Sequence, residues 1–205
     1  MPAGRKISMS LISSIAGYLA ITTLVLALII SIYLAPHDFS PFDYWIEDYG
    51  MPAENPVGAV FYDVGFMLTG VLLGIYMIGF YRWYTTNRWY NAFAAVGHLS
   101  GGISTLVLIL EGYTLMTGFD RPMIWSISFF LFVMIAMIIA TAGMAIRPSQ
   151  SEDTIIIGAA TIALILLLAT ALYFNIAPVI SEWLAVLFML VWVAMASRDM
   201  YRLST

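Results

Sequence analysis

Residues 9–34 read MSLISSIAGYLAITTLVLALIISIYL, without one Asp, Glu, Lys, Arg or His. A helix that crosses a bilayer needs about 20 mostly apolar residues, and this run exceeds that. It is also well beyond the roughly 7–15 residues of a signal-peptide core. It therefore reads as a retained first span, preceded by Arg5 and Lys6. Five further runs of the same character lie at about 57–81, 91–117, 122–146, 154–174 and 179–196. The expected fold is all-α: a polytopic membrane protein, one six-transmembrane-helix bundle over residues 1–205, with short connections after the first.

Composition agrees. The chain is 62% hydrophobic and 10% charged, with a mean hydropathy of +0.93. A soluble domain carries about 25% charged residues, so lipid must be the main solvent here. No basic tract is present, which leaves nucleic acid without support as a partner. Cysteine is absent, which excludes disulfides, thiolate metal sites and Cys nucleophiles. No serine-nucleophile or phosphate-loop motif occurs, and no cofactor is expected. Gly97, Gly101 and Gly102 read as helix packing within a span.

Lys and Arg set the expected orientation. With six spans, one side holds Arg5, Lys6, Arg82, Arg88, Arg147, Arg198 and Arg202, and the other only Arg121. Both termini are then cytoplasmic in a cell membrane, and residues 36–63 face outward. That stretch carries six of the twelve acidic residues, one of the two histidines and no Lys or Arg. Within it, Ser40-Pro41-Phe42-Asp43 reads as a helix start and Gly50 as a stop. Phe42, Trp45, Ile46 and Tyr49 fall on one helical face, while Asp43, Glu47 and Asp48 fall away from it. The spacing predicts a short amphipathic helix from about 41 to 49, in the first outer loop. Asn55-Pro56 reads as the cap and first position of the second span.

Ionisable groups inside spans are costly and are functional candidates. Asp63 shares a stripe with Gly70 and Gly74, and Glu111 with Ser104 and Gly97, so both acids face the bundle interior. Asp63 and Glu111 are the candidate catalytic pair, a general acid and base at one depth. The bland alternative is that each is tied to a backbone or hydroxyl partner and only fixes packing. His98 lies near the other membrane face and reads as a core histidine. His37, with Asp48, Trp45 and Tyr49, forms the candidate binding surface of the outer loop. Histidine spacing for a metal site is lacking, and no metal is assigned.

Ile46-Glu47-Asp48-Tyr49-Gly50, Asn55-Pro56, the run Asp63 to Gly70, Gly101-Gly102 and the 128–144 span together resemble an uncharacterised prokaryotic membrane family, domain of unknown function 998. The resemblance spans most of the chain. It implies the same topology and emphasises Asp48 and Gly50, but supplies no reaction. Trp125 stands where that family often has His.

Three functions fit these observations. The first is a non-catalytic binding or accessory protein whose partners are the bilayer and a further membrane subunit. The second is a lipid-directed enzyme using the carboxylate pair at the outer leaflet. The third is a proton- or cation-coupled carrier. A cavity touching both Asp63 and Glu111 would favour the last two.

Overall fold

The computed structural model of the chain describes residues 8–36, 40, 42–117, 122–146, 151–202 and 204, with 82, 83, 122 and 123 described by backbone alone. Six helices account for most of them: α1 Met9–Leu34, α2 Ala59–Ile78, α3 Arg88–Met116, α4 Pro122–Ala145, α5 Glu152–Phe174 and α6 Pro178–Arg202. All six are long and apolar enough to cross a membrane. Short 3-10 turns occupy Ile46–Gly50, in the α1–α2 loop, and Gly79–Trp83, which continues α2. No strand occurs among the described residues.

Local chemistry sets the helix ends. The Ser8 hydroxyl accepts from Leu11 N–H at the start of α1, and the Asn87 side chain accepts from Trp89 and Tyr90 N–H at the start of α3. Asn175 closes α5 in the left-handed region at φ 54, a conformation that Asn tolerates. Pro178 then opens α6, where a missing N–H costs nothing.

Each helix packs chiefly on its neighbours in sequence, and α6 returns to α1, so the six close a ring. Small residues bring the neighbours close, as expected where lipid offers helices no hydrophobic drive to associate. A Cβ on Gly65 of α2 would overlap the Ala27 methyl of α1. A Cβ on Gly70 would lie 2.8 Å from the Thr105 carbonyl oxygen of α3. Gly74, on the same stripe, leaves ordinary contact distance. Ser14 donates to the Ser197 carbonyl at 2.7 Å and Ser13 to the Ile75 carbonyl at 3.1 Å, fastening α1 to α6 and α2. Outward, the ring presents Ile15, Leu19, Leu26, Ile29, Leu131, Leu166 and Leu187. The helices are thus apolar on both sides, as a buried or lipid-facing helix must be.

The α1–α2 loop departs from the amphipathic helix expected over 41–49. Ser40 does start a turn, accepting at its hydroxyl from Phe42 N–H and at its carbonyl from Asp43 and Tyr44 N–H. The turn stops there, because Trp45 is extended and begins a new cap. Asp48 accepts from Trp45 N–H at 2.8 Å, so the working box is Trp45–Asp48. Position 41 lies outside the described residues. The 3-10 turn places Ile46 and Tyr49, three apart, on one side, and both are buried. Phe42 is 72% exposed and leaves the apolar face assigned to it. Glu47, expected on the polar face, is 7% exposed, because the turn packs on α2 and also touches α1, α3, α4 and α6.

Asn55 fastens this turn. Its side-chain N–H groups donate to the Ser31 carbonyl, the Ser31 hydroxyl and the Tyr49 carbonyl at 2.9–3.1 Å. Its side-chain oxygen accepts from Gly58 N–H at 3.0 Å, and its carbonyl from Ala59 N–H at 3.0 Å. The expected cap is therefore real, one turn ahead of α2, and it also joins the end of α1 to the 3-10 turn.

Candidate functional site

The ring encloses a central cavity of about 100 Å³. Helices α1, α2, α3, α4 and α6 line it, and Ile46 of the 3-10 turn reaches its loop end. Most lining is apolar, with Leu24, Phe66, Leu108, Phe129, Met137 and Val193 among the buried contributors. At the loop end the lining changes to Tyr62, Glu111, Ser126 and Glu182.

These four residues come from four helices at one depth. Tyr62 and Glu182 lie in the first turns of α2 and α6, Ser126 early in α4, and Glu111 about 8 Å before the end of α3, at 1.5 Å per residue. Ser126 is the centre. Its hydroxyl donates to Glu47 in a short contact and lies 3.4 Å from a Glu111 carboxyl oxygen. A hydroxyl has one proton to give, so Glu47 takes the bond and Glu111 is held weakly. Glu182 accepts from Ile46 N–H at 2.9 Å, which ties α6 to the turn. Trp183 donates to the Tyr44 carbonyl at 3.2 Å and stands edge-on to Tyr49, with ring centroids 5.9 Å apart. Three glutamates thus converge, and no Lys or Arg lies at this end among the described residues.

The loop acids respond to this setting. Burial pushes the Glu47 carboxyl above its usual range; the Ser126 hydrogen bond opposes the rise and the Asp48 charge adds to it. Burial likewise raises Asp48, against the Trp45 N–H bond and with a contribution from Glu54. A carboxyl whose folded value is raised favours the folded state below its unfolded value, near 4.5 for Glu47. That contribution is lost as pH rises through the folded value. Glu47→Gln is expected to lessen the fall in melting temperature between about pH 4 and 8 and to raise it at neutral pH, with the Asp48 dependence remaining. Thermal scans of the purified protein across that range check this. An unchanged pH slope in the variant would place the dependence elsewhere.

The residues singled out from sequence fall in different places. Glu111 is buried and lines the cavity. Asp63 is buried too, but it lies against Gly50 and Gly112: a Cβ on Gly50 would come 2.9 Å from its Oδ1, and one on Gly112 2.5 Å from its carbonyl. Its Oδ1 has no hydrogen-bond partner among the described residues. Asp63 is not among the cavity-lining residues, whereas Glu47 and Glu182 are the acids grouped with Glu111 around Ser126. Of the proposed binding surface, Asp48 caps its own turn, Tyr49 is fully buried, and Trp45 is half-buried. His37 lies outside the described residues. No three His, Asp or Glu side chains are grouped closely enough to hold a metal ion among the described residues. His98 contacts the Ala94 carbonyl at 3.2 Å, stacks on Tyr84 and lines the far end of the cavity.

Sequence reading passed over Glu182, Ser126 and Tyr62. Glu182 carried a usable signal, an ionisable group four residues into an apolar run after Pro178, the same rule that singled out Asp63 and Glu111. Ser126 and Tyr62 carried none, since a lone hydroxyl in a span is ordinary. No family model, curated protein or solved structure matches the chain.

Proposed function

We propose that this protein is a non-catalytic membrane binding protein that holds the apolar body of a lipid-like molecule inside its helix ring, its polar end meeting Tyr62, Glu111, Ser126 and Glu182. One observation carries the reading: a central cavity lined mostly by apolar side chains, with its carboxyl groups gathered at the loop end. Ligand sites are typically apolar pockets with a few convergent polar groups. The loop acids favour binding within the ring over display to a partner, because Glu47 and Asp48 are spent on Ser126 and Trp45. The enzymatic alternative asks for Asp63 and Glu111 together at the cavity, and Asp63 is not among its lining residues. In this reading the chain sits in a cell membrane with both termini cytoplasmic, on the seven-to-one bias of Lys and Arg. The loop end then faces outward, in keeping with the family resemblance in topology.

Trp192 lines the cavity and is 5% exposed, which makes it a reporter. An alkanol brominated at the chain end is expected to quench Trp192 saturably, and Trp192→Phe to remove that component. Ala136→Phe, which fills the cavity wall on α4, is expected to abolish it. Quenching that is non-saturable and indifferent to both changes would refute the binding role. For orientation, a single Cys at exposed Phe42 is expected to react with an impermeant maleimide from outside intact cells. Reaction only after lysis would invert the topology.

A further inference from the structure

A second hollow, of about 200 Å³, lies between α4 and α5. Ile127, Leu131, Met134, Ile165, Leu166, Leu168, Ala169 and Leu172 form its walls, with Phe130 at its inner side. Ile127, Leu131, Leu166 and Leu172 are exposed on the outer surface of the ring, so the groove opens where lipid lies. Ser126 to Met134 spans roughly 12 Å along the helix axis at 1.5 Å per residue. The groove therefore runs down the helices from the loop end, parallel to a bilayer chain.

Its upper end is polar and acidic. Trp45, Glu47, Ser126 and Glu182 meet there. Glu47 and Glu182 are 7% and 4% exposed. Each gives one carboxyl oxygen to the protein, to Ser126 and to Ile46 N–H respectively. Among the described residues, the other oxygen of each receives no hydrogen bond and no Lys or Arg lines the groove. A buried charge without a partner is costly, so an occupant that brings donors and positive charge gains most here.

We propose that the α4–α5 groove binds a single-chain lipid whose primary amine is carried directly by the chain. The chain lies between α4 and α5, and the ammonium sits under Trp45. A primary ammonium has three N–H donors and no acceptor, matching the two free carboxyl oxygens and the Ser126 oxygen. A quaternary ammonium has the charge but no donors. A phosphate head finds no cation among the described residues of the groove wall. Trp45 can cover the ammonium with its ring face. Ser126 and Glu182 line both hollows, so the groove also abuts the polar end of the central cavity. The inference stands whether or not that cavity takes a ligand.

The test is calorimetric titration of the full-length protein in a non-ionic detergent with dodecylamine, dodecyltrimethylammonium, dodecanol and dodecanoate. Saturable binding of dodecylamine is expected, about tenfold tighter than the trimethyl form or the alcohol, with no saturable binding of dodecanoate. Ala169→Phe fills the groove from an exposed position and is expected to remove binding of the amine, the trimethyl form and the alcohol. The double variant Glu47→Gln, Glu182→Gln is expected to keep weak chain binding and lose the preference for the amine. Equal affinity for amine and alcohol means that any bilayer chain fills the groove, and overturns the proposal. Preference for dodecanoate, or dodecylamine binding unaffected by Ala169→Phe, overturns it too. Alkanol quenching of Trp192, measured on Ala169→Phe, reads the central cavity independently and separates failure of the two sites.

Discussion

Replacing Asn55 with leucine is expected to destabilise the protein by about 3–5 kcal/mol and to release the loop turn from the ring. The side chain is fully buried and satisfies four separate groups: the Ser31 carbonyl and hydroxyl, the Tyr49 carbonyl, and Gly58 N–H. Each buried polar group left without a partner costs about 1–3 kcal/mol, offset in part by leucine's own burial. Loss of the cap alone accounts for about 1 kcal/mol. Leucine is close in size, so the loss reports the hydrogen bonds more than a cavity. Asn55→Asp should be similarly severe, since a carboxylate cannot donate and would face two carbonyl oxygens. Thermal unfolding of the purified variants measures the cost. Proteolysis within residues 42–58 measures the release, because Ile46 and Tyr49 would leave their buried positions. A variant as stable and as protected as wild type would show that the α1–α2 loop is held by other contacts.

The second large effect lies away from any ligand. Gly65→Leu is expected to prevent recovery of a monodisperse protein, and Gly65→Ala to cost about 1–3 kcal/mol, the range for overpacking a close contact. A Cβ at Gly65 would overlap the Ala27 methyl, with the Ala27 Cα at 3.6 Å behind it. The two helix backbones must then move apart, because a methyl on a backbone cannot swing aside as a long side chain does. The α1–α2 contact is one joint of the ring, so its separation also opens the central cavity. Gly102→Ala is the matched control, since a Cβ there meets nothing within 4 Å and should change stability by less than about 0.5 kcal/mol. Size-exclusion profiles and melting curves of the three variants decide the matter. A well-behaved Gly65→Leu protein would show that α1 and α2 do not approach this closely.

The site also limits which chemistry fits. Its polar groups are three carboxyls, one serine and one tyrosine, and their partners are mostly one another and the backbone of the loop turn. Loop docking and the polar end are also one assembly, because Glu47 and Glu182 serve both.

The six helices were legible in the chain because a bilayer span has a minimum apolar length, and composition alone reports it. The expected and observed bounds of α1 coincide, and those of α4 and α5 differ by two residues or fewer. Burial of Asp63 and Glu111 was legible from the small residues on their stripes. The Asn55 cap was legible from Asn-Pro before an apolar run. The form of the loop was not. Its apolar spacing suits an α-helix, yet Trp45 is extended and Asp48 caps the turn behind it, so backbone hydrogen bonding overrode the 3.6-residue period. Nor did sequence tell that Glu47 points inward, since a residue's face in a loop depends on where the loop docks. The meeting of Glu47, Glu111, Ser126 and Glu182 joins positions up to 135 residues apart. Only closure of the ring brings them together, because helix periodicity fixes which face a side chain takes and never which helix stands opposite.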